Sequence, residues 1–128
     1  MSTNVKDMMA EANAVVPRID HSQARNMMPK SGVLVVDVRD ATEVYETGKI
    51  KGAINVSRGM LEFRADPDSP AYNSAFQKDK TVMVYCGSGG RAALAGKTLK
   101  DLGYGTVLNL GAFKDLIDAG FVVESGGS

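Results

Sequence analysis

The chain has one cysteine, one histidine and no charge imbalance, and each shortage closes off a class of function. A single cysteine (Cys86) cannot form an internal disulfide, and with only His21 beside it in the composition there is no set of soft ligands for a metal cluster. Fifteen basic and fifteen acidic residues cancel, so no global field favours nucleic acid or an anionic membrane. No apolar stretch approaches the roughly 20 residues that span a bilayer. The first residues, MSTNVKDMMAEANAVV, carry Lys6, Asp7 and Glu11 and lack the apolar core of a signal peptide. Internal repeats and low-complexity segments are missing as well. A reducing cytoplasm is the expected setting, with neither nucleic acid nor membrane as partner. What is present is ordinary for one domain: 128 residues, 44% hydrophobic and 23% charged.

The stretch Thr81–Thr98 organises the chain. Val82, Met83, Val84 and Tyr85 form a short apolar run that reads as a buried strand. Arg91–Leu102 reads as a helix with Ala92, Ala95, Leu99 and Leu102 near one face. Between them lies Cys86-Gly87-Ser88-Gly89-Gly90. Its glycines allow successive N–H groups to turn toward one point, and the following helix aims its positive end there. A cysteine at the rim of such a cup is expected to react as a thiolate.

The rest alternates strands and helices. Met1–Val16 reads as a short helical arm (residues 1–16), using Met8, Met9, Ala12 and Val16, or as a frayed segment. Arg18-Ile19 reads as a short strand, and Asp20 as the cap of a helix His21–Met28 with Gln23 completing the cap. Val33–Val36 is a continuous apolar run, the mark of a central parallel strand, and delivers Asp37-Val38-Arg39-Asp40 at its carboxyl end. Thr42 is expected to cap a helix Glu43–Glu46 stopped by Gly48. Ala53–Val56 reads as another strand, Met60–Phe63 as one helical turn and Ala71–Gln77 as a short helix. Thr106–Leu108 follows as a strand and Ala112–Ala119 as a last helix closed by Gly120. This order implies an α/β domain around a mainly parallel sheet, with a flexible tail at 125–128. Ligands of such sheets sit beyond the carboxyl ends of the strands, where Cys86 and Asp37 emerge.

Two phosphate-binding motifs nearly match and fail. Gly87-Ser88-Gly89-Gly90-Arg91-Ala92 fits G-x-G-x-x-A, but no acid follows near the end of the next strand, Leu108-Asn109-Leu110. Gly96-Lys97-Thr98 ends like a P-loop, but its first glycine would have to be Arg91.

Cys86-Gly87-Ser88-Gly89-Gly90-Arg91 strongly resembles the active-site loop of single-domain rhodaneses, the thiosulfate sulfurtransferases. Asp37-Val38-Arg39-Asp40 with Glu43 is similar to the family's Asp-Val-Arg segment. Gly48-Lys49-Ile50-Lys51-Gly52-Ala53-Ile54-Asn55-Val56 resembles its Gly-His-Ile-x-Gly-Ala-x-Asn stretch, with Lys49 where histidine is usual. Leu110-Gly111-Ala112-Phe113 through Ala119-Gly120 resembles its closing segment, with Ala112, Phe113 and Leu116 where a glycine and tryptophans are common. The resemblance covers residues 17–124 and implies a rhodanese-like fold, a five-stranded, largely parallel sheet with helices on both faces. It implies a sulfurtransferase that carries a persulfide on Cys86, with thiosulfate as donor, cyanide or a thiol as acceptor, and no cofactor or metal. A sulfur-acceptor protein as partner, a protein-to-protein sulfur relay, and a redox-sensing interaction module use the same residues.

Loop length separates relatives. Four residues lie between Cys86 and Arg91, whereas the similar cysteine phosphatases and arsenate reductases use Cys-x5-Arg around a tetrahedral oxyanion. The tighter cup suits one sulfur atom. Within it, Gly87, Ser88, Gly89 and Gly90 are the expected binding loop. Arg91 either holds an anionic donor and the loop or pairs with a carboxylate. Ser88 either hydrogen-bonds the outer sulfur or is a small residue the turn accepts. Arg58 and Arg64 either draw thiosulfate inward or are solvated surface groups. Asp37 and Arg39 read as a structural ion pair, Glu43 as a partner for Arg39, and His21 as no catalytic base.

Overall fold

A computed structural model describes residues 3–125. Its helices are α1 Val5–Val15, α2 His21–Met27, α3 Ala41–Thr47, α4 Leu61–Ala65, α5 Gly90–Asp101 and α6 Phe113–Asp118. Its strands are β1 Val33–Asp37, β2 Lys49–Ile50, β3 Ile54–Asn55, β4 Thr81–Cys86, β5 Thr106–Ala112 and β6 Val123–Glu124. Four of these strands form a parallel sheet in the order β3-β1-β4-β5, and β2 and β6 make a separate antiparallel pair. A fifth edge is present only as the parallel bridge Arg18–Asn109. Asn109 N–H donates to Pro17 O and Ile19 N–H to Asn109 O. Beyond that Asp20 already caps α2, accepting from Gln23 N–H at 3.1 Å, so the edge has no length to grow.

The apolar runs of β1 and β4 sort by the two-residue strand period. Leu34, Val36, Val82, Val84 and Cys86 face one core, with Ala92, Ala95 and Leu99 of α5. Val35, Met83 and Tyr85 face the other, with Leu110, Phe113, Leu116 and Phe121. Both faces of the central strands are therefore covered, as parallel strands require. The cysteine belongs to the α5 face and its neighbour Tyr85 to the opposite one.

Helix α1 packs along α5 through buried Ala12 and Val16. The approach is close because α5 offers Gly96, where a Cβ would lie 2.7 Å from Val16 Cγ1. Met8 is exposed and Met9 half-buried, so the expected packing role falls on Ala12 and Val16.

Three expectations are corrected. Helix α3 starts at Ala41 with Asp40 as N-cap, because the Glu43 carboxylate accepts from Asp40 N–H at 2.9 Å and fixes the first turn two residues earlier than a Thr42 cap would. Residues 71–77 form turns instead of a helix. The Asn73 side chain accepts from Ala75 N–H at 2.9 Å, an alternative to helical bonding that local Asn side chains favour. Strand β5 runs on to Ala112, past Leu108, with a register shift opposite Val84 and Tyr85. Apart from Ser125, the expected tail 125–128 lies outside the described residues.

Candidate active site

Strand β4 ends at Cys86, and its alternation points the thiol toward the first turn of the 12-residue helix α5. The connection is short because Gly89 takes φ +97°, a conformation open to glycine, and Gly90 then begins the helix. This turn aims amides at sulfur. Gly89 N–H donates to Cys86 Sγ at 2.9 Å and Ala92 N–H at 3.3 Å. Gly87 and Ser88 are exposed at the crest of the loop. Cys86 itself is free and 0% exposed, so it sits on the floor of the cup and not at the rim. Gly111 of β5 supports the loop from beside it: a Cβ on Gly89 would lie 3.8 Å from Gly111 Cα. Gly111 is held in turn by Asn109, whose buried side chain accepts from Gly111 N–H at 2.7 Å. The similarity of Leu110-Gly111 to a family segment marked the place, but no local pattern revealed the contact.

Arg91 lies beside the loop, where a Cβ on Gly87 would be 3.1 Å from its Nη2. Its Nη1 and Nη2 donate to the two carboxylate oxygens of Glu43 at 2.8 and 3.1 Å. The pair is partly exposed, 36% and 41% for the two side chains. Hydrogen bonding from Arg91 holds the Glu43 carboxyl below its ordinary value of 4.5, despite an opposing desolvation. Glu43 thus ties the start of α3 to the start of α5, and it is Arg91's partner, where Arg39 was expected.

Arg39 instead pairs with Asp37. Its Nη2 lies 2.8 Å from Asp37 Oδ2, its Nε donates to both carboxylate oxygens, and its Nη2 also donates to Gly48 O at 2.7 Å. Both residues are buried, and the guanidinium lies 4.1 Å from the Phe113 ring centroid. Asn55 donates to the carbonyls of Asp37 and Arg39 at 3.0 and 2.9 Å, fixing the end of β1 beside β3. The Tyr85 hydroxyl accepts from Ile50 N–H at 2.9 Å, and burial pushes that phenol up and keeps it neutral.

The other basic residues are placed away from sulfur or on the surface. Arg58 donates to Glu62 at 3.0 Å and to Thr98 Oγ1 at 2.9 Å. Thr98 is eight residues along α5 from Gly90, about 12 Å down the axis, so Arg58 is not gathered at the cup. Arg64 is exposed on α4, and Lys49 is paired with Glu124. His21 Nε2 lies 3.0 Å from Leu110 O and its ring meets Phe121 edge-on, a packing role. No cluster of His, Cys, Asp or Glu able to hold a metal occurs among the described residues.

Together these elements define a parallel α/β domain with an amide-lined thiol between a strand and a helix. Residues 20–118 match the family described as "Rhodanese-like domain", and the chain belongs to that family. It is 33% identical over 97 residues, 75% of this chain and 82% of the relative, to a sulfurtransferase of Allochromatium vinosum. It is 33% identical over 81 residues, 63% of this chain and 71% of the relative, to thiosulfate sulfurtransferase PspE of Escherichia coli. Among solved structures, a protein of unknown function from Rhodopseudomonas palustris, described as a possible tyrosine phosphatase, superposes with a TM-score of 0.87 at 38% identity, covering 97% of this chain and 96% of that one. A rhodanese with anions from E. coli superposes at 0.54 with 31% identity, covering 65% of this chain and 89% of that one. Among the described residues, no helix is long and apolar enough to cross a membrane.

Proposed function

We infer that the protein is a sulfurtransferase that moves a sulfane sulfur from thiosulfate to a thiophilic acceptor through a persulfide on Cys86. The Cys86 thiolate attacks the outer sulfur of thiosulfate. The sulfur–sulfur bond of the donor breaks, and sulfite leaves with the electron pair. A nucleophile, cyanide in an assay or a cellular thiol, then attacks the outer sulfur of the persulfide and regenerates the Cys86 thiolate. This is covalent catalysis in two half-reactions, so ping-pong kinetics are expected. The observation that carries the reading is the pair of amides, Gly89 N–H and Ala92 N–H, converging on Sγ. Preorganised donors of this kind stabilise an anion on sulfur before and after the cargo is loaded. Exposed Ser88 and the Gly87–Gly90 backbone are the groups offered to the outer sulfur. Arg91 acts by holding the loop to α3. A free sole cysteine suits a reducing cytoplasm.

Intact-protein mass after incubation with thiosulfate tests this directly. A gain of one sulfur atom on the wild type, lost on adding cyanide and missing from Cys86→Ser, is the expected result. No gain on protein with a titratable thiol removes thiosulfate as donor and favours a protein donor in a sulfur relay. The likeness to a possible tyrosine phosphatase raises a second reading, hydrolysis of aryl phosphates. The four-residue spacing from Cys86 to Arg91 and the direction of Arg91 toward Glu43 both weigh against it. Turnover of p-nitrophenyl phosphate that vanishes in Cys86→Ser would reverse that judgement.

A further inference from the structure

A cavity of about 640 Å³ opens at the amino-terminal end of β1, on the sheet face away from α5. Val33 there pairs with Thr81 at the start of β4, so the cavity is roughly 16 Å along the strands from Cys86. Buried Val35 and Ile50 line it with Met28, Phe121 and Val122. Val122 is 63% exposed, which leaves apolar surface facing open space. The only charged residues in the lining are Arg25 and Lys51, both exposed cations, and no carboxylate is among them. Arg25 lies 6.0 Å from the Phe121 ring centroid and makes no ion pair among the described residues. The nearby acid, Glu124, is already engaged by Lys49 and by the Gly52 N–H. A site of this volume with an apolar body and a few charged groups in its lining is the usual form of a small-molecule pocket.

We propose that this cavity binds a small amphipathic monoanion, an alkyl chain ending in a single carboxylate, with the chain against Met28, Val33 and Val122 and the carboxylate drawn by Arg25 and Lys51. Apolar contact supplies the affinity, and Arg25, which makes no ion pair among the described residues, supplies the sign together with Lys51, whose charge also acts on Glu124. The site is separate from the sulfur chemistry, and nothing in the proposal requires that chemistry.

Titration of the full chain with decanoate, below its micelle concentration, followed by 15N amide shifts, tests the assignment. Shifts should concentrate at residues 28–35, 50–52 and 120–122 and saturate. Affinity should rise about fourfold per methylene from octanoate to dodecanoate, the increment for burying one CH2. Decylamine should bind roughly tenfold more weakly or worse, as should decanoate to the Arg25→Glu/Lys51→Glu double variant. Both positions are exposed, so the variant keeps its fold, and spectral dispersion verifies this. Val122→Trp, which fills the opening, should abolish binding independently. Four results overturn the proposal: no saturable shifts at millimolar decanoate, shifts centred elsewhere, equal binding of amine and acid, or shifts at these residues that depend on protein concentration without ligand. The last would assign the cavity to a second copy of the chain.

Discussion

Gly89 and Gly90 are neighbours in one loop and should respond in opposite ways to alanine. Gly89 has φ +97°, and its N–H is the nearer donor to Cys86 Sγ, at 2.9 Å. Space is not the obstacle, since a Cβ there meets nothing nearer than Gly111 Cα at 3.8 Å. The cost is backbone strain, about 1–2 kcal/mol for an L-residue held in the left-handed region. For a domain of this size that is a fall in Tm of roughly 4–8 °C. Gly90 has no positive φ and opens α5, and a Cβ added to it would meet no atom within 4 Å. Gly90→Ala should therefore be neutral or stabilising by up to about 1 kcal/mol. Function should separate the pair as well. If the alanine of Gly89→Ala relaxes to negative φ, its N–H turns away from sulfur. Loss of one preorganised donor costs about 10²–10³-fold at an oxyanion, and the remaining Ala92 donor, at 3.3 Å, sets that as an upper bound here. A fall of roughly ten- to hundredfold in the persulfide-forming rate is expected for Gly89→Ala and little change for Gly90→Ala. Scanning calorimetry and time-resolved intact mass read the two effects. Equal melting temperatures for the two variants, or a wild-type loading rate in Gly89→Ala, would refute the reasoning.

Gly96→Ala places a methyl 2.7 and 2.8 Å from the two γ carbons of Val16. Overpacking of about 1–3 kcal/mol should outweigh a helix-propensity gain of about 1, and adding Val16→Ala should recover most of the loss in urea melts. Asp37→Asn leaves the Arg39 charge buried without its carboxylate and should cost about 3 kcal/mol by the same measurement. Glu43→Gln keeps the cap on Asp40 but loses the charge that faces Arg91. Because the folded Glu43 pKa is depressed, its contribution is present above the unfolded value near 4.5 and is lost as pH falls through the folded one. The pair is partly exposed, so the variant should be only about 0.5 kcal/mol weaker at pH 7, with the gap closing in acid below pH 4.5.

Elements driven by contiguous chemistry were legible in the sequence. The runs Val33–Val36 and Val82–Tyr85 read as strands covered on both faces, and the glycines after Cys86 as a tight turn into a helix. Asp20 with Gln23 announced α2. The Thr42 cap failed because Asp40 and Thr42 both offer an oxygen, and the choice was made by Glu43 reaching back to Asp40 N–H. The helix expected at 71–77 failed because one side chain, Asn73, took an amide that a helix would need. At the site, the sequence left Arg91 with two readings. The answer depends on a residue 48 positions away, and no local pattern encodes that pairing. Arg58 is the same case, resolved by Thr98 on the far stretch of α5.

The burial of Cys86 is the feature that a rim-like reading of its loop misses, and it bears on what the site can carry. With the residue at 0% exposure and two amides on Sγ, the empty thiol is shielded. A persulfide adds a bond of about 2.05 Å, enough to move the reactive atom off the floor toward the exposed Gly87 and Ser88. On the proposed mechanism the loop thus protects sulfur when empty and presents it when loaded. The sole cysteine also has no second thiol in the chain to discharge it as a disulfide, so the cargo persists until an outside acceptor arrives. The consequence can be measured at about pH 9, where free thiols are mostly ionised. Iodoacetamide should modify the empty native protein at least tenfold more slowly than it modifies glutathione, while cyanide should strip the loaded protein completely. Alkylation of the empty protein at the glutathione rate would mean that the loop opens freely, and shielding would then play no part in the transfer.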